Sequence, residues 1–253
     1  MTIPTYLPAY VLTSTIAVIV TLVFGLRAAL ISAGWAAPQR AVAVGTAAAI
    51  LIGWFALAAL LGAGGTFHAA AGQLPSIQYG VFVPILIGAL LIWRSPAVKR
   101  IIEAVPQAWI VGVQLYRALG VIFLILYAND QMPGLFAWPA GMGDILVGVL
   151  APVVALAYAQ APRQNADLVT AWNLFGILDL IVAVGTGFAT SPSQFQLFAL
   201  DRPNELVSLF PLVLIPTYLV PLSILLHLAS LAKLREGSRV DSRTGTARAR
   251  TGG

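Results

Sequence analysis

Seven apolar runs, each long enough to cross the hydrocarbon core of a bilayer, constrain this chain more than any other feature. They cover residues 7–32, 41–63, 77–94, 107–128, 141–160, 167–189 and 206–231. Apolar residues make up 59% of the 253 and charged ones 9%, more apolar surface than a soluble core can bury. The predicted fold class is therefore all-α: a polytopic membrane protein with seven transmembrane helices. Proline, glycine and turn residues punctuate the runs at Ala37-Pro38, Gly64-Gly65, Ser95-Pro96, Met132-Pro133-Gly134, Ala161-Pro162, Ser191-Pro192 and Arg202-Pro203-Asn204. Residues 1–231 read as one membrane domain. The run from Leu7 reads as a first span and not as a cleavable signal peptide, because no basic segment precedes it.

The basic residues fix an orientation. Connections after the first, third, fifth and seventh runs carry Arg40; Arg94, Lys99 and Arg100; Arg163; and the C-terminal tail. Those after the second and fourth carry none, and that after the sixth only Arg202. This alternation places the N-terminus outside and the C-terminus in the cytoplasm, in a plasma (inner) membrane of bacterial type. Residues 232–253 hold six basic against two acidic residues, which leaves +1 of the total +5 for the rest of the chain. That tail reads as disordered, as a topogenic flank and as a contact for anionic lipids. Without interleaved aromatics it gives no sign of binding nucleic acid. The absence of cysteine excludes thiol chemistry, two histidines give no support for a multi-histidine metal centre, and neither a cofactor nor a metal is expected.

Between the third and fourth runs, Ser95 suits a helix cap and Pro96 a first helical position. Val98, Ile101, Ile102 and Val105 then recur on one face, opposite Lys99, Arg100 and Glu103. This predicts a short amphipathic helix on the cytoplasmic membrane surface. Gly80-Val81-Phe82-Val83-Pro84 and Gly148-Val149-Leu150-Ala151-Pro152 match at an offset of 68, as do Pro38-Gln39 and Pro106-Gln107, a pattern of internal repetition or of chance.

The chemistry is sought in charges inside apolar runs, where each must pair or face a cavity. Arg117 lies mid-run in the fourth span with Gln114 one turn before it, and Asp179 lies mid-run in the sixth beside Asn173 and Gly176. Spans four and six run in the same direction, so Arg117 and Asp179 are predicted at one depth and in contact. Asp144 is expected in the first turn of the fifth span, at the outer mouth, either stabilised by the helix dipole or guarding a cavity floored by Arg117 and Asp179. The seventh run carries Pro211, Pro216 and Pro221, which makes Pro216, Pro221 and Tyr218 candidate gating residues. His227 reads as a satisfied histidine near the cytoplasmic interface.

Two resemblances bear on function. Seven spans with an outer N-terminus resemble a rhodopsin or receptor bundle, but the only lysines, Lys99 and Lys233, sit at the cytoplasmic surface, which excludes a retinal Schiff base. Gly141-Met142-Gly143-Asp144 resembles the GxGD motif of intramembrane aspartyl proteases, which implies a second aspartate on an earlier span. Here the intramembrane partner Asp179 comes later. The reading that follows is a small proton- or ion-coupled transporter or permease, with Arg117, Asp144, Asn173, Asp179 and Gln114 as its substrate- or ion-binding residues. The alternative is a non-catalytic partner or sensor subunit, homo-oligomeric or bound to another chain, whose charges only lock the bundle.

Overall fold

The computed structural model describes the backbone of residues 3–251 and the side chains of residues 3–237. It is all-helical over this range. The elements are α1 (Leu7–Ser32), α2 (Ala37–Ala63), α3 (Ile77–Arg94), α4 (Pro96–Ala104), α5 (Gln107–Gly112), a 3-10 segment (Val113–Gly120), α6 (Val121–Ala128), α7 (Gly134–Gln160), α8 (Ala166–Thr190), a π turn (Ile215–Leu219) and α9 (Val220–Thr251). Among the described residues, seven stretches are long and apolar enough to cross a membrane, the fourth being Gln107–Ala128 and the seventh Ile215–Gly237. The chain is a multi-pass helical membrane protein. Its outer surface agrees: Phe24, Leu60, Leu86 and Leu178 are exposed, as lipid-facing side chains must be, while Leu7, Val11, Ile122, Leu126 and Leu212 fill the interior.

Apolar burial drives such helices together weakly, because lipid is as apolar as leucine. Close approach at small residues and internal polar contacts contribute instead. Both are visible here. A Cβ on Gly148 would run into the backbone of Ala118, and one on Gly80 into Thr217. The two glycines of the 68-residue match thus each seat a neighbouring segment. At the sheltered end of the bundle, Gln107 and Asn173 both donate to Ser230 Oγ, at 2.5 and 2.8 Å, joining α5, α8 and α9.

Element boundaries follow local chemistry. The surface helix forms as its sequence dictates: Ser95 Oγ accepts the Val98 N–H at 3.4 Å and Pro96 occupies the first position. Its far end is capped from α9, where Lys233 Nζ donates to the carbonyls of Ile102 (2.9 Å) and Glu103 (2.6 Å). The fifth span starts earlier than the apolar run suggests, at Gly134 after the extended Pro133. The seventh starts later, because residues 206–214 form a short 3-10 turn and irregular chain before the π turn opens at Ile215. Pro211 and Pro216 lack the N–H groups that a regular start at residue 206 would use. The backbone of α9 is helical to Thr251, through most of the segment whose composition reads as disordered. The side chains from Ser238 onward, and with them the lipid contacts expected of Arg239, Arg243, Arg248 and Arg250, lie outside the described residues.

Candidate functional site

Two irregular segments line a common cleft at mid-bundle. In the fourth span eight residues wind as a 3-10 helix, a long run for a form that is usually one turn. With three residues per turn, positions 114, 117 and 120 eclipse. Gln114, Arg117 and Gly120 form one buried line. The seventh span is underwound at Ile215–Leu219, with the Val220 N–H bonded to Ile215 O five residues back. A proline ring excludes the carbonyl four residues before it, so Pro221 favours a widened turn at that point. Tyr10 Oη donates to the Leu119 carbonyl at 2.6 Å, tying α1 to the overwound segment.

The Arg117 guanidinium is the hub. Nε and Nη2 donate to Asp144 Oδ1 at 2.8 and 2.7 Å. Nη2 also pairs with Asp179 Oδ2. Nη1 donates to Gly176 O and to His227 Nε2, both at 3.2 Å. All five guanidinium N–H groups are engaged. His227 Nδ1 lies 2.9 Å from Asn173 Oδ1, and Asn173 Nδ2 donates to Val169 O and Ser230 Oγ. An amide oxygen only accepts, so the imidazole proton sits on Nδ1 and the Nε2 lone pair receives Arg117. A continuous ladder therefore descends from the triad: Arg117, His227, Asn173, Ser230, Gln107. Each of these side chains is buried. The carbonyl oxygens of the Gln114 and Gln107 side-chain amides, their Oε1 atoms, are buried without a donor.

Three of these polar groups rest on a glycine of a neighbouring segment. A Cβ at Gly120 would strike Asp144, one at Gly143 would strike Asp179, and one at Gly176 would strike the His227 ring. Gly141 seats Leu124 in the same way. The Gly-Met-Gly-Asp sequence thus has a helix-packing explanation. Moreover, Asp144 and Asp179 are bridged by a guanidinium, whereas a protease dyad shares a proton between its carboxylates.

Of the residues singled out by sequence, Arg117 and Asp179 meet as expected. Asn173 joins them through His227. Gln114 lies on the line of Arg117, its Nε2 3.5 Å from Ser223 O. Asp144 is not in a first turn: α7 begins at Gly134, so Asp144 is about three turns in, level with Arg117. It is a paired member of the cluster and not a free carboxylate at the mouth. Tyr218 is buried, its hydroxyl bonded to Leu51 O at 3.1 Å and its ring 4.5 Å from that of Trp54, which anchors the seventh span to α2. Pro216 lies inside the π turn and Pro221 just beyond it. His227, Ser223, Ser230, Tyr116 and Gln107 belong to the polar network as well. Tyr116 Oη and Ser223 Oγ are 2.7 Å apart. The spacing of Ser223, His227 and Ser230, at i, i+4 and i+7, marks a polar helix face that could have revealed them.

Two clefts reach Asp144. The larger, about 750 Å³ counted out to its mouth, runs from Asp144 between α3, α7, α8 and the π turn up to Ser191, Ser193 and Ser208. The smaller lies between α1, the 3-10 segment and the seventh span, and touches Arg117 and Asp144. Both lie on the loop side of the triad, while the ladder fills the other side.

Residues 74–235 match the family described as Domain of unknown function (DUF8737). The chain belongs to this family. No curated protein and no solved structure matches. The matched DUF8737 segment begins just before α3 and ends within α9, so it contains the whole triad and ladder, leaving α1 and α2 outside it.

Proposed function

We propose that this protein is a small proton- or cation-coupled permease of the plasma (inner) membrane, with its N-terminus outside and its C-terminus in the cytoplasm. The observation that carries the reading is the triad: two carboxylates share one guanidinium, a formal charge of −1, at the floor of a cleft, with Arg117 on the overwound segment of the fourth span. Irregular winding at mid-membrane is tolerated where backbone is buried in protein or lines a cavity, and it is where helices hinge. Because Arg117 has no N–H to spare, an anionic substrate would have to displace a carboxylate. A proton or a cation has only to compete with Arg117 for one. Asp144 and Asp179 are therefore the exchanging groups, and Arg117 is the internal cation that holds them between cycles. The cleft supports access from the outer side. The ladder supports a closed inner half that is nonetheless polar, with the two undonated amide oxygens as groups that another arrangement would satisfy.

The saturation of Arg117 also favours a second reading, in which the triad only locks the bundle of a partner or sensor subunit. Proton flux in sealed liposomes separates the two. The permease reading expects pH-driven flux in the wild type and its loss in Asp179→Asn, with melting shifted by only a few degrees. No flux in the wild type, with a collapse of stability in the variant, would establish the lock.

A further inference from the structure

We infer that the larger cleft binds a lipophilic organic monocation, with Asp144 as its counter-charge. The inference deepens the permease reading and rests on it for the exchanging role of Asp144. Four phenylalanines, Phe67, Phe123, Phe136 and Phe188, line the cleft among aliphatic side chains, and Asp144 is the one ionisable residue of its lining among the described residues. Ring faces attract cations, most strongly where water is excluded.

Other occupants fit less well. An anion meets a cluster of net charge −1 and finds no free guanidinium N–H. A hard metal ion needs six or more oxygens, and the cleft lining supplies one carboxylate and three rim serines, Ser191, Ser193 and Ser208. A neutral apolar molecule would bury the Asp144 carboxylate edge against hydrocarbon without return. A bulky cation whose charge is spread over apolar groups matches both the rings and the carboxylate, and it loses little hydration on entry. It would take the place of part of the Arg117 contact at Asp144, and Arg117 would retain Asp179.

The test is equilibrium binding of tetraphenylphosphonium to the purified full chain, set against tetraphenylborate, an anion of the same shape. Saturable binding is expected, at least tenfold tighter than tetraphenylborate and at least tenfold weaker in Asp144→Asn. Val184→Trp, which fills the cleft from α8 without touching Arg117, should abolish binding at an unchanged melting temperature. That variant decides the matter if Asp144→Asn does not fold. Equal affinity for the borate, or phosphonium binding untouched by both substitutions, would overturn the site. The liposome flux assay is independent. Proton flux without phosphonium binding would remove the site and leave the permease, and saturable, Asp144-dependent binding without flux would leave the site and remove the permease.

Discussion

Arg117→Lys tests the hub with the least change in charge. Arginine supplies five N–H donors in a planar fork, and here they reach Asp144, Asp179, Gly176 O and His227. Lysine has three donors on a single nitrogen, so at least two of these contacts are lost. A hydrogen bond to a charged group contributes about 1.5–3 kcal/mol, so the loss is about 3 kcal/mol or more. For a chain of this size that is roughly 6–12 °C in Tm, taking about 2–4 °C per kcal/mol. Tryptophan fluorescence during heating of the detergent-solubilised protein reads this directly, because the Trp172 ring lies 5.0 Å from His227. Arg202→Lys is the control. Its partner Asp130 is in an exposed pair, for which about 0–1 kcal/mol is expected. A Tm for Arg117→Lys within 2 °C or so of the wild type, like the control, would refute the claim that a saturated guanidinium organises the site.

Further outcomes follow from the same geometry. Gly176→Ala forces a Cβ into His227 and should cost about 1–3 kcal/mol in thermal melting, whereas Gly53→Ala, which meets nothing within 4 Å, should be neutral or stabilise by up to about 1 kcal/mol. Ser223→Ala removes the partner of the Tyr116 hydroxyl and should lower stability by about 1–3 kcal/mol, with Tyr116→Phe in the same chain recovering most of it. Lys233→Met uncaps α4 and should speed amide hydrogen exchange at Ile101–Val105, while leaving exchange in α7 unchanged.

How much of this was legible in the sequence depends on the distance over which the determinants act. The spans followed from apolar length alone, and α4 from Ser95, Pro96 and a charged face, because these are local. Arg117 and Asp179 were legible as a pair because two costly charges at one depth have few other partners. The depth of Asp144 is not legible, because the apolar run taken alone starts the fifth span at Gly141 whereas the helix begins at Gly134. The 3-10 winding of residues 113–120 has no compositional mark. It is set by neighbours, among them Gly148 against the Ala118 backbone and Tyr10 on the Leu119 carbonyl. His227 looked like an interface residue because its partners, Arg117 and Asn173, come from two other spans. The glycine seats under Asp144, Asp179 and His227 were equally hidden, since a glycine declares close approach but not what approaches.

The permease we propose requires that one buried cluster be reached in turn from the two sides of the bundle. With no native cysteine, single cysteines report this without background. Val184→Cys probes the open cleft, and Ser230→Cys probes the ladder, where the wild-type side chain is buried. The measurement is the rate at which a membrane-impermeant thiol reagent labels Ser230→Cys from the C-terminal side of sealed liposomes, with and without a proton gradient. Slow labelling that accelerates when the gradient is imposed, as labelling of Val184→Cys from the opposite side slows, is the expected result. Free labelling of Val184→Cys with Ser230→Cys inert under every condition would contradict the account, because the ladder would then be a permanent seal.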